Sequence, residues 1–179
     1  MKTAEITREF RIPFQGMSLG KHKFSTVCDN TFFETMQLSE IQGGAIVLEM
    51  EMEKQTHLLQ FVFNFEGTIQ VECDRCLDLM DLDLDFSKHL TVKILPEKSV
   101  EIHQEDDEIW MVGEDVHELN FEHFVYEAIL CEIPLQHVHA DINSCNVEML
   151  KRMEMIQNVE KETQTDPIWD VLKTLKTKL

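Results

Sequence analysis

The chain has 179 residues and a mass of 21.0 kDa, enough to bury a core without staples. Apolar residues make up 43%, which excludes a compositionally disordered chain. Its 34 acids against 16 bases give a net charge of -18, which argues against a broad basic face for nucleic acid and against an anionic membrane surface, and favours a basic partner or simple self-repulsion.

The charge is uneven. Residues 146–179 hold six bases and six acids, so the first 145 residues carry 10 bases, 28 acids and the whole net charge. No run of about 18 apolar residues occurs, so no membrane span is expected. The first 20 residues are mixed and charged, unlike a secretory signal, and the chain is expected in the cytoplasm. Its five cysteines (Cys28, Cys73, Cys76, Cys131, Cys145) are then expected to be reduced.

In chain order, strands are expected over Ile6–Ile12 and His22–Val27. Ile46, Leu48, Met50 and Met52 alternate with Glu49, Glu51 and Glu53, the period of a strand with one solvated face. Leu59, Phe61, Phe63 and Phe65 repeat it, and Gly67 marks a bulge or bend before Ile69, Val71 and Cys73. Leu82, Leu84, Phe86, then Leu90, Val92 and Ile94 alternate again, with Asp81, Asp83 and Asp85 opposite. Those three acids read as a solvated face, because a hard cation wants oxygens converging on a loop. Glu97–Glu108 reads as an acidic loop and Ile109–Val112 as a short returning strand.

The period changes near Leu119. Phe121, Phe124, Val125, Ala128 and Ile129 form one helical stripe, so a helix is expected over about 120–133, with Asn120 as N-cap and Pro134 as stop. A second helix is expected over about 147–159, capped by Asn146, with Met149, Leu150, Met153 and Ile156 on one face. Residues 160–165 read as a linker. Asp166-Pro167 opens a C-terminal amphipathic helix over 166–179, with Ile168, Val171, Leu172, Leu175 and Leu179 in its stripe. The fold expected is therefore α+β. A twisted antiparallel sheet, with a barrel-like curl as its variant, comes from residues 1 to about 118, and about three helices follow. Residues 1–159 are read as one domain.

Cys73-Asp74-Arg75-Cys76 is a C-x-x-C motif whose two thiolates can share one metal ion. Two further ligands are needed, and His139 and Cys145 would complete a three-cysteine, one-histidine structural zinc site, with His137 as substitute for His139. An equal reading is metal-free: Cys73 falls in phase with Ile69 and Val71, and cysteine packs well in cores. A redox pair is a third, weakened because such a motif normally opens a helix. Cys28 and Cys131 read as core packing. No G-x-S-x-G, P-loop or H-E-x-x-H motif is present, and no catalytic residue is assigned.

Cys73-Asp74-Arg75-Cys76-Leu77 after alternating strands resembles the YceD family. Glu127 to Pro134 (E-A-I-L-C-E-I-P) is similar to that family's helix of glutamate, apolar run and proline. Asp166-Pro167-Ile168-Trp169 with Leu172 and Leu175 resembles its D-P-R-W-x-x-L-x-x-L signature, with Ile168 where the family often has arginine. Many members carry a second C-x-x-C after the helix; this chain has His137, His139 and Cys145 there. The resemblance implies a non-enzymatic factor in large ribosomal subunit assembly, supporting accumulation or processing of large-subunit ribosomal RNA. The acidic body favours a basic ribosomal protein or a pre-ribosomal particle as partner, with RNA contact only local. Arg75, Asp166, Pro167 and Trp169 are the partner-binding candidates. The alternatives are a thiol- or metal-dependent enzyme using Cys73 and Cys76, and a structural zinc module unrelated to ribosomes.

Overall fold

Period-two alternation runs through three long strands, and burial follows it residue by residue. The structure, a computed structural model, describes residues 4–5, 10–36, 40–96, 103–106 and 108–160. These residues fall into two units: Met1–Glu72 with Leu79–His137, and Cys73–Asp78 with Val138–Leu179.

The first unit is built on a seven-stranded open sheet. Its strands are β1 (Ala4–Glu5), β3 (Gly20–Cys28), β4 (Ile41–Lys54), β5 (Leu58–Glu72), β6 (Leu79–Leu95), β7 (His103–Asp106) and β8 (Ile109–Gly113), in the order β1-β3-β4-β5-β6-β8-β7. Two further strands, β2 (Arg11–Ile12) and β9 (Leu119–Asn120), pair with each other. The helices are α1 (Asn30–Thr35) and α2 (Glu122–Glu132).

The β3-β4-β5-β6 stretch is antiparallel, as expected, but β1–β3 and β6–β8 are parallel, so the sheet is mixed. The connection after β6 explains the second case. Part of the expected loop over Glu97–Glu108 forms β7, which turns back antiparallel onto β8, so β8 runs with β6 rather than against it. The sheet ends at β1 and β7 and does not close into a barrel. Of the strand expected over Ile6–Ile12, Arg11–Ile12 is strand β2 and residues 6–9 lie outside the described part. Helix α1 was not foreseen from the sequence, although its signal was present: Asp29 caps it by accepting from the Phe32 N–H at 3.2 Å.

Met52, Met50 and Leu48 of β4 pair with Phe61, Phe63 and Phe65 of β5, all fully buried. Burying each of these side chains contributes roughly 1.5–3 kcal/mol. Gly67 keeps its pairing with Ile46 and Leu84, so it is not a bulge; the irregularity in this pair lies between Ile41 and Gly43. Gly67 instead marks a close approach, since a Cβ there would lie 2.2 Å from the Ala45 carbonyl oxygen.

The stripe on α2 seals the core. Val125, Tyr126, Ala128 and Ile129 are buried, while Phe121 ahead of the helix stacks on Trp110 at 5.7 Å and meets Phe61 at 4.8 Å. The N-cap of α2 is Phe121, which makes no side-chain cap bond, rather than the expected Asn120; Asn120, one residue earlier, accepts from the Glu122 N–H at 2.9 Å. Cys28 is core, as expected, but Cys131 is exposed, because it lies on the solvent side of α2 away from Val125 and Ile129. Lys88, in the inward register of β6, sets its Nζ 5.7 Å from the centroid of the Phe86 ring and 3.5 Å from Glu132.

The second unit contains α3 (Val147–Glu160), close to the expected helix. Asn146 caps it by accepting from the N–H groups of Glu148 and Met149 at 3.0 and 3.3 Å. The expected stripe on α3 is only half covered: Met149 and Leu150 are half-buried, whereas Met153 and Ile156 are exposed. The linker over 160–165 (apart from Glu160, the last residue of α3) and the helix over 166–179 lie outside the described residues, with Asp166, Pro167 and Trp169. Among the described residues no helix is long and apolar enough to cross a membrane.

Candidate metal centre

Residues 73–78 join Glu72 to Leu79, a pair in register. This short loop closes on its own backbone. The Cys73 N–H donates to the Asp78 carbonyl at 2.9 Å, and the Leu77 N–H to the Cys73 carbonyl at 2.8 Å. The tight path holds Leu77 at φ 62°, a left-handed conformation that costs a side-chain-bearing residue about 1–2 kcal/mol.

The other donors come from the segment before α3. Asp141 accepts from the Asn143 N–H at 2.9 Å and starts a 3-10 turn over Ile142–Ser144. The Cys145 N–H ends that turn on the Ile142 carbonyl at 3.1 Å. Asn146 then begins α3 and donates from its side-chain amide to Asp78 Oδ1 at 3.1 Å, which ties the two segments of this unit together.

The result is a four-donor cluster. The Sγ atoms of Cys73, Cys76 and Cys145 and a ring nitrogen of His139 all lie within 4.8 Å of one another. His139 Nδ1 is 3.6 Å from both Cys76 Sγ and Cys145 Sγ. A tetrahedral zinc ion with a thiolate at about 2.3 Å and an imidazole at about 2.0 Å separates those two donors by about 3.6 Å. The residues therefore fit the ion in number, in softness and in spacing. The three cysteines are buried, yet they lie outside the apolar cluster that includes Cys28, so they do not serve the core. Four protein donors leave no open coordination position, which is the mark of a structural rather than a catalytic site.

The electrostatics point the same way. Burial pushes the Cys73 thiol up, but the backbone N–H groups of His139, Arg75 and Cys76 and the His139 ring outweigh it and bring Cys73 down to about 6. Burial raises Cys145, and the neighbouring thiols Cys76 and Cys73 raise it further, against the pull of Arg75. One thiolate forms readily; a second and third beside it are resisted unless a dication compensates them. Arg75 places Nη1 3.6 Å from Cys145 Sγ. Three thiolates, a neutral imidazole and Zn²⁺ would sum to one negative charge, which that guanidinium faces.

Comparison with known families decides the relationship. The family described as "Large ribosomal RNA subunit accumulation protein YceD" matches residues 61–176. The chain belongs to the YceD family. The YceD match covers all four cluster residues and reaches the C-terminal Asp166–Trp169 motif. The YceD name ties the family to accumulation of large-subunit ribosomal RNA. No curated protein and no solved structure matches the chain.

After α2 this chain supplies His139 and Cys145, and the structure brings both to Cys73 and Cys76. His137, the substitute ligand, is outside this group; its Nδ1 lies 3.2 Å from the Pro134 carbonyl oxygen. Arg75, read from the sequence as a partner-binding residue, turns inward to Cys145. Sequence reasoning missed Asp78. The capping role of Asn146 is legible locally, but its second partner is 68 residues away and carries no local signal.

Proposed function

We propose that this chain is a non-enzymatic assembly factor for the large ribosomal subunit. It supports accumulation or processing of large-subunit ribosomal RNA by binding a basic ribosomal protein or the precursor particle. The observation that carries this reading is the YceD match over residues 61–176. The net charge of -18 favours a cationic protein over bare RNA as the first contact. One zinc ion held by Cys73, Cys76, His139 and Cys145 would fasten the loop 73–78 to the segment before α3, and its chemistry there is that of a staple.

The test is affinity capture of the tagged chain from lysate, with and without nuclease. Large-subunit precursors or a large-subunit ribosomal protein are expected in the nuclease-free arm, and the protein partner persists after nuclease treatment. Capture of neither under both conditions overturns the proposal.

A further inference from the structure

The sheet of the first unit has one face packed and one face open. Phe32 and Phe33 of α1 and Val125 and Ile129 of α2 join the buried cluster with the inward residues of β4 and β5. The opposite face carries the alternate residues of the same strands, and these are exposed or half-buried.

Charge on the open face is ordered. Strand β4 gives Glu49, Glu51 and Glu53; β5 gives Glu66; β6 gives Asp81, Asp83 and Asp85. Register joins them into one diagonal band. Alternate residues along a strand lie about 7 Å apart. Glu49 opposes Asn64, so Glu66 is its diagonal neighbour at about 7–8 Å. Glu66 opposes Asp85 directly, at about 5 Å. Lys23 pairs with Glu51 and Lys21 opposes Glu53 in register, so the band's net charge lies with Glu49, Glu66, Asp81, Asp83 and Asp85; Thr68 and Gln70 give Asp83 and Asp81 neutral hydrogen bonds. Two carboxylates facing each other, as Glu66 and Asp85 do, oppose strand pairing. At the β4 end of the band a shallow hollow of about 220 Å³ opens between Lys21, Glu51, Glu53, Gln60, Val62 and His89, so that end already carries a base of the chain's own.

We propose that this band is the docking surface for an extended, lysine- and arginine-rich protein segment. In such a segment alternate side chains fall on one side at steps of about 7 Å, which is the step of the band. Successive cations two residues apart then meet successive carboxylates, and the repulsion between Glu66 and Asp85 is relieved on binding. A single divalent ion does not fit, because carboxylates stepped about 5–8 Å apart do not converge at about 2.4 Å. RNA is repelled, and a second copy brings the same sign of charge. The inference rests on the protein-partner reading above and names its surface.

The experiment is a fluorescence titration of the full chain with a labelled peptide of alternating lysine and alanine, at physiological salt. Asp81→Asn, Asp83→Asn and Asp85→Asn together should weaken binding about tenfold or more. The control removes the same charge elsewhere: Glu114→Gln, Glu127→Gln and Glu154→Gln, expected to change affinity less than about twofold. Neutral substitutions on a solvated face should leave the circular dichroism spectrum unchanged. Equal losses in both variants, or no binding by the parent chain, overturns the band. If the band variant still captures ribosomal components as the parent does, the band fails and the assembly role stands. If the peptide binds through the band but no ribosomal component is captured, the assembly role fails and the band stands.

Discussion

The side-chain amide of Asn146 donates to Asp78 Oδ1 at 3.1 Å, while its carbonyl oxygen caps α3. One residue thus starts a helix and fastens it to the cysteine loop. Asn146→Ala removes both and should destabilise the second unit by about 1–2 kcal/mol. Asn146→Asp keeps the cap but sets two carboxylates against each other, so it should recover only part of the loss. Urea unfolding of the two variants checks the order.

Metal content is the next prediction. Protein purified without added zinc should hold one equivalent, and Cys73→Ser should lose it. Thiol labelling gives a second reading. In the loaded protein only Cys131, the exposed cysteine, should react quickly. Chelation should release the three cluster thiols, while Cys28, raised to about 12 by burial, should react only after unfolding.

Arg75→Ala should weaken zinc affinity by about 10–100-fold, the usual effect of losing a group that faces a metal's ligands. Arg75→Lys keeps the charge and should fall between the two. Competition with a chelating dye measures this without any assay of function.

In the chelated, reduced protein, stability should rise with pH between about 6 and 9. Cys73 is lowered to about 6 in the fold, so over that window the unfolded thiol keeps its proton and the folded one does not. The stabilisation is present above the unfolded value and is lost as pH falls through the folded one. Denaturant midpoints across this range, flat or falling with pH, would contradict it.

Gly67→Ala should cost at least about 1–3 kcal/mol, since the new methyl would press on the β4 backbone at Ala45 and Ile46, which cannot swing aside. Thermal unfolding reports this.

The long strands and the cap at Asn146 were legible because period and capping are local properties of the chain, whereas the start of α2 fell one residue later than the expected cap Asn120. The parallel placement of β8 was not, since direction depends on β7, whose acidic sequence reads as loop. Cys131 was misplaced because burial was inferred from residue type rather than from its position around α2. The cluster itself was half legible. Spacing named Cys73, Cys76, His139 and Cys145 but left a metal-free core role equally open; that the four donors converge, and that the three cysteines fall outside the apolar cluster that includes Cys28, are tertiary facts with no local signal.

Cys76 and His139 are 63 positions apart. During synthesis the first two thiols leave the ribosome long before the last two donors exist. Until then zinc has only a half-built nest, and a nascent chain arrested midway would hold the ion weakly or trade it with other thiols. Full occupancy would thus serve as a certificate of completed translation through Cys145.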